Sequence, residues 1–179
     1  EGRDLPLVDF RSRHSAATEA VGYGKTMMGF HMLRRKFGDD TFRKALQDFY
    51  RAERGERAGF MDVKRVFAKT GGDNLDAFFD KWVNRAGAAD LRLEKVRHEG
   101  QRVHGVIRQV QKSGLLALDV PVSVRTAGGY VSQTVALAGA TTPFEIVVGS
   151  APLLVELDPE FDVFRLLDPR ETAPSIGQV

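Results

Sequence analysis

The stretch LALDVPVSVR, residues 116–125, decides the fold class, because its apolar side chains recur at every second position. Leu116, Leu118, Val120, Val122 and Val124 alternate with Ala117, Asp119, Pro121, Ser123 and Arg125. Successive side chains of a strand point to opposite faces, so this period predicts a half-buried antiparallel strand. Pro121 has no N–H to give to a ladder and, pointing outward, predicts an edge. Residues 144–148 and 153–157 repeat the alternation, and runs at 91–97, 103–110, 130–137 and 162–166 bring the total to about seven strands. Turn signals such as Glu99-Gly100, Lys112-Ser113-Gly114 and Gly128-Gly129 separate them at spacings near the roughly 8–12 residues common in sandwiches.

Upstream of Gly87 the period is helical instead. Leu75, Phe78, Phe79, Trp82 and Val83 fall at i, i+3, i+4, i+7 and i+8, with Asp73 or Asn74 as cap and Gly87 as stop. A helix from near Ser15 to Phe37 places Met27, Phe30, Leu33 and Phe37 on one face, and Met28 and Met32 add a second stripe that predicts burial over more than half its girth. Gly38 then terminates it, with Arg34, Arg35 and Lys36 complementing the helix dipole. A second helix runs from Asp39 or Asp40 to Glu53, and Asp62 caps a short one carrying Val63, Val66 and Phe67. Residues 1–13 read as a lead-in with a short strand at 5–10. Helices first and strands second predict an α+β chain: a helical layer of about four helices in residues 1–88, then an antiparallel seven-stranded β-sandwich in 89–179.

The composition narrows the function by exclusion. The chain of 179 residues has no cysteine, so disulfides and thiolate metal sites are ruled out. The net charge of +2 divides into 17 cations against 14 anions up to residue 90 and 9 against 10 beyond it. That is too even for a nucleic-acid surface. No apolar run reaches the ~18 residues of a membrane span. The first residue is Glu1 rather than Met, which predicts a processed or excised piece of a longer protein.

Complete active sites are not legible either. The triplet Gly24-Lys25-Thr26 suggests a phosphate loop, but G-x-x-x-x-G-K-[ST] needs Gly at position 19, where Glu19 would repel a phosphate. His14, His31, His98 and His104 form no H-E-x-x-H pair and no i, i+4 pair. His98 and His104 have only a hairpin to bring them together. There is no G-x-S-x-G elbow. Read from the residues alone, Tyr23 is a buried aromatic with its hydroxyl on a backbone carbonyl, and Lys25 is structural or on the surface.

The order of several short motifs carries a resemblance. Tyr23-x-Lys25, the run FHMLRRKFGDDTFRKAL at 30–46, Thr70-Gly71 with LDAFFDKWVNRAG at 75–87, and VELDPEFDVFR at 155–165 together resemble the membrane-alanyl-aminopeptidase-like zinc peptidases, the gluzincin aminopeptidases. The chain departs from the family at Thr26, where Gly is usual. The resemblance implies that residues 1–88 are the C-terminal helical portion of a thermolysin-like peptidase domain and 89–179 the sandwich that follows. It implies zinc for the full-length protein, whose ligands would precede this region, and no cofactor in the chain itself, which is expected to be inactive alone. Tyr23 would donate a hydrogen bond to the oxyanion of the tetrahedral intermediate, a role suited to a phenol that stays protonated at neutral pH. The expected partners are the missing N-terminal catalytic core, the peptide substrate of the whole protein, and a second copy through an apolar patch on the first helix. A non-catalytic protein-interaction module is the alternative. The compartment is left open.

Overall fold

A computed structural model of the chain describes residues 4–12 and 15–171, so His14 lies outside the described residues. The chain is α+β and separates between Gly87 and Ala88 into two compact units.

The first unit is built on one continuous helical rod. It begins as α1 (Ala16–Glu19), passes through a π-helical segment (Ala20–Lys25) and continues as α2 (Thr26–Phe37). Gly38, at φ 76°, ends the rod and donates its N–H to the Arg34 carbonyl at 2.8 Å. Helices α3 (Asp39–Glu53), α4 (Phe60–Gly71) and α5 (Asp76–Trp82) follow. Helix α4 starts two residues before Asp62. That carboxylate instead accepts the Gly59 N–H at 3.0 Å from the third helical position, which satisfies one of the orphan donors of a helix start. At α5 it is Asn74 that supplies the cap, its Oδ1 accepting the Asp76 N–H at 2.7 Å, and the helix stops at Trp82 rather than at Gly87.

Packing selects one stripe of each helix. Leu33, Ala45, Val63, Phe67, Leu75 and Phe79 form the core, and Phe67 is fully buried. Phe30, Phe42 and Phe67 meet edge to face with centroids 5.7–6.5 Å apart, the geometry their ring quadrupoles favour. Burial of the first helix over more than half its girth does not hold. Leu33 is the buried residue of α2, Met28 and Met32 are half-buried, and Met27 is 66% exposed. The 5–10 strand is also corrected. Pro6 fixes an extended turn entry at φ −60°, and Leu7–Asp9 closes a 3-10 turn that plants Leu7 in the core.

The second unit holds seven strands among the described residues: β1 (Ala89–Glu99), β2 (Arg102–Gln109), β3 (Leu118–Thr126), β4 (Gly129–Leu137), β5 (Thr141–Val147), β6 (Pro152–Leu157) and β7 (Arg165–Leu166). They form two sheets, ordered β5-β2-β1-β7 and β4-β3-β6, which meet where β1 touches β6 and β4 touches β5. Val120, Val122 and Val124 of β3 are fully buried, each contributing about 1.5–3 kcal/mol of apolar transfer.

Two expectations fail here. The sheets are not wholly antiparallel, because β7 runs parallel to β1 at Ala89 and Asp90. And β3 is central, not an edge. Pro121 is tolerated because β6 pairs only from Val122 onward, so the face where its N–H would point carries no ladder bond, and its carbonyl instead accepts the Asp158 N–H at 2.7 Å.

Candidate functional site

Tyr23 lies in the π-helical segment Ala20–Lys25, AVGYGK. A π-turn inserts one residue into an α-helical ladder and is concentrated at functional sites. Gly22 and Gly24, poor helix formers on either side of the tyrosine, weaken the local α-helical preference. The result is a division of faces. Val21 and Lys25 point into the unit and are buried, while Tyr23 and Met27, four residues apart, are 60% and 66% exposed. Tyr23 is therefore not a core aromatic.

Its ring is nevertheless held. Phe10 meets Tyr23 edge to face, with centroids 6.1 Å apart and planes at 75°. Phe10 in turn packs against the helix at Gly22, so close that a Cβ there would stand 2.3 Å from its ring. The segment carrying Phe10 is pinned where Val8 donates its N–H to the Val83 carbonyl at 3.3 Å and where Leu7 enters the core. Gly22→Ala, which in an open helix position gains up to about 1 kcal/mol from propensity, should here lose about 1–3 kcal/mol by overpacking. Urea unfolding of the chain reads the sign, and a stabilised variant would show that Phe10 moves away freely.

Lys25 anchors the other side. Its side chain is 1% exposed, and Nζ donates to the Arg85 carbonyl at 2.6 Å. That carbonyl lies in the turn just past the end of α5 at Trp82. Burial lowers the Lys25 pKa, and the nearby Asp4 carboxylate acts in the opposite sense. Asp4 also accepts the Gly87 N–H at 2.5 Å. Thr26, where the resembled family has Gly, takes ordinary helical dihedrals of −62° and −48° and is half-buried.

The histidines are dispersed. In the β1–β2 hairpin His98 pairs with Val103 and His104 with Arg97, so the register places the two imidazoles on opposite faces. His104 Nδ1 lies 3.5 Å from Glu145. Among the described residues no group of three or more His, Asp or Glu side chains is placed to hold a metal ion. The described residues thus do not fit a zinc site. Nor, among them, is any helix long and apolar enough to cross a membrane.

The β unit contains a cleft of about 490 Å³ lined by Leu91, Arg92, Glu156, Phe161, Arg165 and Arg170, among others. Its cations already have partners. Arg165 Nε contacts Asp158 at 3.0 Å and its Nη2 contacts Glu171 at 2.7 Å, while Arg170 pairs with Asp168 at 2.9 Å. Asp158, fully buried at φ 51°, also accepts the N–H groups of Asp162 and Val163 at 2.7 and 3.3 Å. The pattern LDPEFDVFR is thereby a structural knot joining β6 to β7.

Sequence reading singled out Tyr23 but missed the π-turn, the Phe10 brace and the burial of Lys25. The two glycines flanking Tyr23 were the available signal, since paired glycines inside a helical period mark irregular geometry.

No protein-family model matches the chain. Over 77 residues, 43% of the chain, it is 28% identical to aminopeptidase N of Lactococcus lactis subsp. lactis, of which it covers 9%. Its fold is similar to the crystal structure of Legionella pneumophila aminopeptidase A in complex with aspartic acid, with a TM-score of 0.64 and 15% identity over 87% of this chain and 18% of that one. The chain therefore spans less than a fifth of the length of either relative. The two likenesses support an aminopeptidase-like relationship.

Proposed function

We propose that these residues form the C-terminal helical portion of a gluzincin-type peptidase domain, residues 1–88, and the β-sandwich that follows it, 89–179. In this reading the catalytic core and its zinc ligands belong to other residues of the same protein. The step borne by the metal is not one that this chain's residues perform. What this chain contributes is Tyr23, whose phenolic O–H donates to the oxyanion that forms as the peptide carbonyl is attacked.

The observation that carries the reading is the presentation of Tyr23. An apolar-edged ring left 60% exposed on a helix, yet braced by Phe10, is what a fixed donor aimed outward requires. A preorganised hydrogen bond costs no reorganisation when charge develops. The aminopeptidase-like relationship supports the substrate class, a peptide with a free N-terminus.

The direct test compares the 179-residue chain with the full-length protein that contains it, on aminoacyl-4-nitroanilides. The full-length protein is expected to hydrolyse them and the 179-residue chain to be inert, with no stoichiometric zinc bound. Turnover or tight zinc binding by the chain alone overturns the reading.

The exposed side chains of Met27, Tyr50 and Met61, each more than 60% accessible, favour a second reading as a non-catalytic interaction module, including self-association through the first helix. An H-E-x-x-H motif with a following Glu elsewhere in the full-length sequence separates the two readings. Its absence would leave Tyr23 with no metal beside it.

A further inference from the structure

Tyr23 and Lys25 are two residues apart on the same π-helical segment and take opposite environments, one 60% exposed and the other 1%. A π-turn is rare and departs from the regular α ladder, so contacts outside the helix are the natural place to look for what holds it. Here the hold is visible. Lys25 Nζ reaches across 60 positions of sequence to the Arg85 carbonyl at 2.6 Å, a charge-assisted bond to a carbonyl in the turn that follows α5. Asp4, on the segment that leads to Phe10, provides the neighbouring negative charge and also accepts the Gly87 N–H. One buried ammonium thus ties together the π-turn and the exit of α5, with Asp4 as its counter-charge.

A simple hydrophobic residue at position 25 would fill the same space. It would leave the Arg85 carbonyl without its Nζ donor and would free the turn to rewind. Rewinding shifts every residue before it by about one position around the axis, and Tyr23 would swing away from Phe10. We propose that Lys25 is a positioning residue for Tyr23: its ammonium, seated on the Arg85 carbonyl, locks the π-turn that points the phenol outward. The inference rests on the oxyanion-donor reading of Tyr23, and two separate measurements keep the two apart.

The first needs no catalysis. In the 179-residue chain, Lys25→Met should speed hydrogen exchange of the amides in residues 20–25 by about tenfold or more relative to those of α4. Unchanged exchange in that segment overturns the lock. If the Met variant does not fold, Lys25→Gln, which keeps an N–H donor without the charge, replaces it and should give a smaller increase; no increase overturns the lock in the same way.

The second is a kinetic cycle in the full-length protein. Lys25→Met should lower kcat by about ten- to a hundredfold with KM changed less than about twofold, as expected for a misplaced transition-state group. In a Tyr23→Phe background the same substitution should cost nothing further, because a positioning residue acts only through the group it positions. Lys25→Arg, which keeps cation and donors, should restore part of kcat. Equal losses in both backgrounds would make Lys25 merely structural and overturn the proposal. If Tyr23→Phe alone leaves kcat unchanged, the donor reading is what fails, and the exchange result decides the lock independently.

Discussion

In the full-length protein, Tyr23→Phe is expected to lower kcat by about 10²–10³-fold, or about 2.7–4 kcal/mol of transition-state stabilisation. The substitution removes one oxygen and leaves the ring, its edge-to-face contact with Phe10 and the helical backbone in place. Because the tyrosine is 60% exposed, loss of its hydroxyl leaves no buried polar group behind, so stability should change by less than about 0.5 kcal/mol. KM should stay within about twofold, since a donor used only by the oxyanion binds ground-state substrate no better than phenylalanine does. Steady-state kinetics on an aminoacyl-4-nitroanilide give both constants. Undiminished kcat would remove Tyr23 from the chemistry and leave the exposed helix face as a docking surface.

Breaking the Asp158–Arg165 pair should give the largest loss of stability in the chain. Both side chains are essentially inaccessible, at 0% and 1%, and one Arg165 nitrogen, Nη1, already has no hydrogen-bond partner. Asp158→Asn keeps the shape and the tolerance for φ 51° but removes one of the two carboxylates that Arg165 faces. Glu171, 2.7 Å from Nη2, still pairs with the cation, so the loss should lie near the lower end of the about 3–5 kcal/mol that breaking a buried pair costs. The amide also places donors where the Asp162 and Val163 N–H groups and Arg165 Nε need acceptors. Urea unfolding of the chain measures the loss. The double variant Asp158→Asn with Arg165→Met should recover part of it, because the half-paired buried cation goes too and Glu171, 30% exposed, is left near water. A single variant within about 1 kcal/mol of the native chain, or a double variant no better than the single, would show that the knot is not held by its charges.

Most of the β unit was legible from alternation, and the places where it was not are instructive. A period of 2 tells which residues share a face but nothing about which strand lies beside which. Pro121 was therefore read as an edge marker, although the sheet places it in a central strand at the point where its neighbour β6 has already ended. The parallel β7 escaped for the same reason. It is two residues long and is positioned by the Asp158–Arg165 knot rather than by its own pattern. In the helical unit the aromatic stripe of Phe30, Phe42 and Phe67 was readable, because apolar residues at helical spacing have little alternative to packing together.

By itself the sequence determined the order of helices before strands, the position where the period changes near Gly87, the absence of thiol chemistry, and the candidacy of Tyr23 through its motif. The first two follow from side-chain hydrophobicity and spacing and the third from composition, which are local properties; the candidacy of Tyr23 follows from the family resemblance. The tertiary structure decided that Tyr23 faces outward, that Lys25 faces inward, and that Phe10 braces the ring. Each depends on a partner far away in the chain: the Arg85 carbonyl for Lys25, the Val83 carbonyl for the segment carrying Phe10. A helical period describes a regular helix, and the π-turn departs from one because contacts outside the helix hold it so.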